Sequence, residues 1–382
     1  MKGLRLLYLA LALCALFVLP SCGGGGGGDG TAQTGTLSVA LTDASTDEYQ
    51  AVYVTITEVQ VHMGGGSWKV VGSPNKTYNL LDLTNGVREE LGIAELTAGD
   101  FTQMRLIIGD KSDGGINILS KQHPSANYVI DWNDEDHALK VPSGFQTGVK
   151  IVQGFTISPN QTTELILDFS ASESVVMAGN SGQWLLKPTI KVLKTTECSI
   201  ISGTVREGNE GLEGVLVSAQ IFTGSATDIK DEVVSEASTV TDEEGQYKIF
   251  INPGTYNIVA YTIDYKPAVA CAVKLVSGVT KTLDLPLTSG VTGTVSGGVT
   301  IAGAVEDQYA TISFRQSAVC GQGPADDIEF EVKSLNVIDG RGYSLPLPTG
   351  TYEVVASSYE HPTLPQNLTI VSGVTELDIG IQ

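Results

Sequence analysis

The densest group of oxygen-bearing side chains in the sequence is Asp131-Trp132-Asn133-Asp134-Glu135-Asp136. Asp131, Asn133 and Glu135 fall at alternate positions, the spacing of oxygen ligands in a calcium loop. The glycine and distal glutamate of an EF-hand are missing, because Pro142 stands at the twelfth position counted from Asp131. The same composition is that of a solvated acidic turn. Trp132 offers a flat face on which a sugar ring could stack, although a single tryptophan more commonly packs against its own domain. Asp43, Asp47 and Glu48 form a second acidic group, which reads as turn chemistry between two apolar runs. His62, His123, His137 and His361 are scattered singly, and no CxxC occurs, so the spacing gives no zinc-type constellation. No nucleophile elbow, HExxH, Walker loop or dinucleotide fingerprint is present. The expectation is a protein without catalytic residues and without a cofactor, calcium being the one ion the spacing suggests.

Charge narrows the partners. The 382 residues carry 43 acidic against 22 basic side chains, a net charge of −21. Nucleic-acid binding rests on neutralising phosphates with Lys and Arg, so it is not expected here. An anionic membrane surface would repel the chain, and attachment to a membrane has to come from something other than charge.

That something is legible at the N-terminus. Lys2 and Arg5 precede an unbroken apolar run from Leu6 to Leu19, too short for the ~20 residues that cross a bilayer. The run ends in Leu19-Pro20-Ser21-Cys22, which resembles the lipobox of bacterial lipoproteins. The resemblance implies cleavage before Cys22, acyl chains on that cysteine, and, since Gly23 follows it, the cell outer membrane. Several chains at ~0.8 kcal/mol per buried methylene make a durable anchor. Residues 1–21 are then a signal peptide, and 22–34 a lipidated cysteine with a glycine-rich tether that behaves as random coil. Cys14 departs with the signal, so Cys198, Cys271 and Cys320 remain, enough for one bridge and a leftover thiol, or for none.

Beyond the tether the chain reads as strands. Leu37, Val39 and Leu41 alternate with smaller or polar residues. Val52, Val54 and Ile56 share one face, after which the apolar positions move to Val59 and Val61. Such a change of phase predicts a β-bulge near Glu58. Leu165, Leu167 and Phe169 alternate, as do Ile190 and Val192, while Thr84-Asn85-Gly86 before Val87 to Leu91 predicts one short helix. The segments Gly35 to His62, Leu81 to Leu106 and Leu165 to Val192 together resemble the bacterial domain of unknown function 4382. That family implies a β-rich domain behind a lipobox and carries no established activity.

The second half repeats itself. Ser202 to Gly208 recurs as Thr292 to Gly298, Gly245 to Tyr261 as Gly340 to Ser357, and Val276 to Leu285 as Val371 to Gly380, at spacings of about 90–96 residues. Asp242 to Gly245 and Asp339 to Gly342 read as tight turns, Pro253-Gly254 as a type II turn. Tyr256, Ile258 and Ala260, and likewise Tyr352, Val354 and Ala356, are placed to face inward. These features resemble the carboxypeptidase regulatory-like domain, which implies a transthyretin-type β-sandwich. The second copy departs from the pattern by an insertion between Phe314 and Glu329 that contains Cys320.

The expected architecture is therefore all-β: three tandem antiparallel β-sandwich domains at 35–195, 198–288 and 290–382, after a cleaved lipoprotein signal peptide. The expected role is a membrane-anchored envelope lipoprotein acting as a non-catalytic structural or adhesion-type module. A carbohydrate-binding lipoprotein with Trp132 in the site is the alternative, and an envelope hydrolase a more distant one. The expected partners are the membrane through the lipid at Cys22 and a polysaccharide or envelope protein.

Overall fold

The strand Thr34–Ala44 organises the first sandwich, as its alternation requires: Leu37, Val39 and Leu41 are fully buried. It runs parallel to Thr162–Ser170 and antiparallel to Glu89–Thr97, with Ile190–Lys194 completing a four-stranded sheet. The facing sheet is built on Ala51–Met63, which pairs with Gly99–Ile108 through a register shift between Ile56 and Glu58. That bulge lets Val52, Val54, Ile56, Val59 and Val61 all reach zero exposure despite their change of parity. In a computed structural model the chain is described at residues 33–44, 46, 48–142, 148–177, 184–305, 308–321 and 327–382. The predicted signal peptide and Cys22 lie outside these residues, as does nearly all of the tether, and so does Asp47. Among the described residues no helix is long and apolar enough to cross a membrane.

The predicted helix over 84–91 does not form. Asn85 and Gly86 both adopt positive φ, at 54° and 81°, which breaks any helix there. A single 3-10 turn, Leu80–Leu83, precedes them, and Glu89–Thr97 continues as an edge strand.

The second and third sandwiches share one strand order. In the second, Ser199–Glu207 lies antiparallel to Gln246–Ile251 and parallel to Thr280–Thr282 and Leu285–Pro286. Its other sheet runs Val233–Val240, Leu216–Phe222, Gly254–Tyr261, Ala268–Leu275. In the third, Thr292–Ile301 lies antiparallel to Gly342–Pro348 and parallel to Gly373–Glu376 and Ile379–Ile381. The opposing strands run Asp327–Ile338, Tyr309–Val319, Gly350–Ser358, Leu364–Ile370 in the same order. Each sandwich thus contains a parallel pair beside its antiparallel ladders. The insertion around Cys320 lengthens a hairpin, since Tyr309–Val319 and Asp327–Ile338 outrun their counterparts.

Equivalent contacts correct the repeat alignment at its first strand. Gly203 sits opposite Tyr247 and against the Leu283 carbonyl, whereas Gly297 sits opposite Tyr343 and against the Leu377 carbonyl. Gly203 therefore corresponds to Gly297, and the sequence match to Gly293 slips along the strand. Tyr247 and Tyr343 donate their hydroxyls to those two carbonyls, each over 2.7 Å. Pro253-Gly254 is not a type II turn: Gly254 has no positive φ and opens a strand, where a Cβ would stand 2.8 Å from the Tyr256 hydroxyl.

The three cores do not stay separate. Val259 and Tyr261 of the second sandwich pack into the core of the third, and the Tyr261 hydroxyl donates to Pro346 O over 2.9 Å. Met177, in the strand Val175–Met177, pairs parallel with Val337, which carries one sheet from the first sandwich into the third. Cys271 and Cys320 form a disulfide between second and third sandwiches, and Cys198 is a free, buried thiol.

Candidate functional site

The acidic stretch forms the turn of a hairpin between Tyr128–Ile130 and Asp136–Lys140. Asp131 closes it from both sides. Its backbone N–H donates to Glu135 O over 3.0 Å, and its Oδ1 accepts the N–H groups of Asn133 and Glu135 over 2.9 and 3.0 Å. Asp134 adopts a positive φ of 62°, a conformation that Asp tolerates in turns. Gln50 Nε2 ties the turn to the next element, donating to Asp131 O and Asp134 Oδ1 over 2.7 Å each. Trp132 is 66% exposed at the tip.

Of the three residues predicted as calcium ligands, the turn brings Asp131 and Glu135 together with His137. One ligand atom from each lies within 4.8 Å of the others. Asn133 stays close to Asp131, its Nδ2 at 3.4 Å from Asp131 Oδ2. His137 Nε2 lies 3.2 Å from Asp131 Oδ2, and its ring stacks on Trp184 at 4.7 Å between centroids. Trp184 in turn stands edge-on to Tyr49 at 5.7 Å. Hydrogen bonds from Glu135 N–H, His137 and Asn133 outweigh partial burial and hold the Asp131 carboxyl below its ordinary range. Spacing missed His137 because it lies beyond the acidic run, on the strand leaving the turn.

In the second acidic group Asp43 does not serve turn chemistry, since it lies within the strand Thr34–Ala44. Asp43 is 4% exposed, and its Oδ1 accepts the Ala171 N–H over 3.0 Å. Burial, with the charge of Asp168 adding to it, pushes its carboxyl well up. Asp168, on the neighbouring strand, is pushed up to about 7 by burial, with Glu173 raising it and Lys191 opposing. Glu48 N–H donates to Thr46 Oγ1, an ordinary turn contact.

Asp168 lines a cavity of about 80 Å³ where the three sandwiches meet, with Glu173, Lys191, Gln220, Glu236 and Glu331. Lys191 Nζ, on the first sandwich, donates to Ser235 O, Glu236 O and Glu236 Oε2 of the second. The Gln220 amide of the second sandwich donates to Glu331 O and accepts from Glu331 N–H, over 2.8 and 2.9 Å. Arg315 of the third is 1% exposed and donates to Ile229 O and Lys230 O of the second, over 2.8 and 3.0 Å. Lys191, Gln220 and Arg315 thus spend polar groups on contacts between sandwiches.

Asp113, His123 and Tyr128 form an Asp-His-Tyr line: His123 Nδ1 is 2.7 Å from the Tyr128 hydroxyl, and Nε2 is 3.7 Å from Asp113 Oδ1. Tyr128 has no exposed surface, and burial drives its hydroxyl pKa far up, away from any nucleophilic role. Asp113 accepts the N–H groups of Thr77 and Gly115, so the line acts as a brace for the loop after Ile108.

Residues 34–188 match the family model for a domain of unknown function, DUF4382, and residues 200–288 match that for the carboxypeptidase regulatory-like domain. No curated protein matches the sequence. Among solved structures, the Bacillus anthracis TIE protein is 13% identical over 92% of this chain and 51% of its own, with a TM-score of 0.19. A leucine-rich repeat protein from Bacteroides thetaiotaomicron is 16% identical over 49% of this chain and 26% of its own, with a TM-score of 0.24. The Streptococcal ancillary pilin is 11% identical over 91% and 99% of the two chains, with a TM-score of 0.19. This chain spans about half the length of the first and about a quarter of the second. Superpositions this loose carry no argument about what the chain does.

Proposed function

We propose that this chain, a DUF4382 segment followed by carboxypeptidase regulatory-like repeats, is a lipid-anchored protein of the cell envelope, in the outer membrane, that works as a structural or adhesion-type module and catalyses no reaction. The observation that carries the reading is the way its reactive-looking groups are used. Lys191, Gln220 and Arg315 clamp sandwich to sandwich, and the Asp113-His123-Tyr128 line ends in a fully buried tyrosine and braces a loop. A disulfide across two sandwiches is at home in an oxidising envelope compartment, which fits the lipobox-like Leu19 to Cys22.

The anchor is tested by expressing the full chain and its Cys22→Ala variant in a bacterial host fed a labelled fatty acid. The expected result is label and membrane retention that vanish together in C22A. A chain that stays soluble after fractionation, or takes up no acyl label, removes the proposal.

Trp132 favours a second reading, since its ring stands 66% exposed beside acceptor carboxylates. Retention on a polysaccharide panel that W132A abolishes would move the protein into the carbohydrate-binding class. Absence of retention on every polysaccharide leaves only the protein-partner form of the module.

A further inference from the structure

We propose that Asp131, Glu135 and His137 form a site for one borderline divalent cation of the zinc type at the exposed hairpin turn, and that this site prefers such an ion to calcium. The sequence spacing pointed to oxygen ligands alone, whereas the fold replaces the expected set with two carboxylates and an imidazole. That exchange alters the chemistry: calcium asks for six to eight oxygens, while one imidazole and two carboxylates suit zinc and its neighbours. The spacing of His137 and Asp131 suits such an ion. Two ligand atoms on a tetrahedral ion with bonds near 2.0–2.1 Å are about 3.3 Å apart. His137 Nε2 and Asp131 Oδ2 are 3.2 Å apart already.

The ligands are held from behind. Asp131 uses Oδ1 on two backbone N–H groups, which turns Oδ2 toward His137. The His137 ring is stacked on Trp184, which is 7% exposed, and Gln50, just before the strand Ala51–Met63, fixes the turn. Such support is what orients first ligands in a working metal site. Asp131 and His137 keep 22% and 24% side-chain exposure, so an ion reaches them from solvent and completes its coordination with water or a partner's donor. A net charge of −21 draws cations toward the surface.

The test is titration of the full chain with zinc and separately with calcium, by calorimetry at pH 7.5, with cobalt as a spectroscopic stand-in. The expected result is one zinc per chain and a cobalt absorption band of tetrahedral type. Cobalt or copper should also quench tryptophan emission, because Trp184 stacks on His137. His137→Gln should weaken zinc binding by about tenfold or more. Glu135→Gln should weaken it as well, while far-UV dichroism and melting temperature stay those of the parent. Zinc binding that H137Q leaves intact, calcium binding in preference to zinc, or no binding at micromolar zinc overturns the proposal. None of these outcomes depends on Cys22 or its lipid, so failure here and failure of the anchored-module reading are separable.

Discussion

At the scale of single residues, the carboxyl groups of the third sandwich set its response to pH. Glu329 is pushed up to about 7, first by burial, then by the neighbouring Glu353, with Arg315 opposing. The Oε2 atoms of both glutamates are buried, and the two side chains share a hydrogen bond only while one of them is protonated. A carboxyl whose folded pKa lies above its unfolded value of 4.5 holds its proton more tightly when folded. Stability is therefore lost as pH rises from about 4.5 to about 7, and the loss is complete above that. Glu329→Gln should be nearly neutral at pH 4.5 and stabilising at pH 8. With solvent screening discounted, the gain is on the order of 1 kcal/mol. Urea unfolding at the two pH values measures it, and an equal effect at both would refute the assignment. Sequence alone could not single out Glu329, since an acidic chain offers many glutamates and only cross-strand register sets this one beside Glu353.

At the scale of elements, two glycines show how tightly the repeated strands are pressed together. A Cβ on Gly203 would stand 1.8 Å from Leu283 O, and one on Gly297 would stand 1.9 Å from Leu377 O. Both obstacles are backbone, so neither can swing aside. Gly203→Ala and Gly297→Ala should each cost on the order of 3–5 kcal/mol by displacing a paired strand. Gly208, at a φ of 60° with open space around it, should cost only about 1 kcal/mol as alanine. Thermal melts of the three variants give the comparison, and a mild G203A or G297A would mean that the strand can slide. Periodicity found these strands but not their alignment. Gly293 and Gly297 share a face of the strand, so the alternation of side chains is identical for either pairing with Gly203.

At the scale of the whole molecule, the sandwiches are braced by polar clamps and one covalent bridge. Cys271 and Cys320 are separated by 49 positions, and closing that span restricts the unfolded chain. Replacing both by serine should lower stability by about 2–4 kcal/mol. Loss should be seen equally on adding reductant to the parent, and not on adding it to the double variant. Reductant that leaves the melting temperature of the parent unchanged would show that the bridge does not form. Cys198 stays out of this chemistry, because burial raises its thiol pKa and it packs with Ile166, Leu193 and Phe250.

The sequence by itself determined the all-β class, the bulge near Glu58, the inward rows of Tyr256 and Tyr352, and the existence of a repeated sandwich. The first three are written in the spacing of apolar residues, which a strand reads two at a time, and the repeat in segments that recur with their turn glycines. Tertiary structure alone decided which cysteines pair, that Asp43 is buried, that His137 joins Asp131 and Glu135, and that one sheet runs from the first sandwich into the third. Those outcomes depend on register and on contacts between residues far apart in the chain, and no local pattern fixes either.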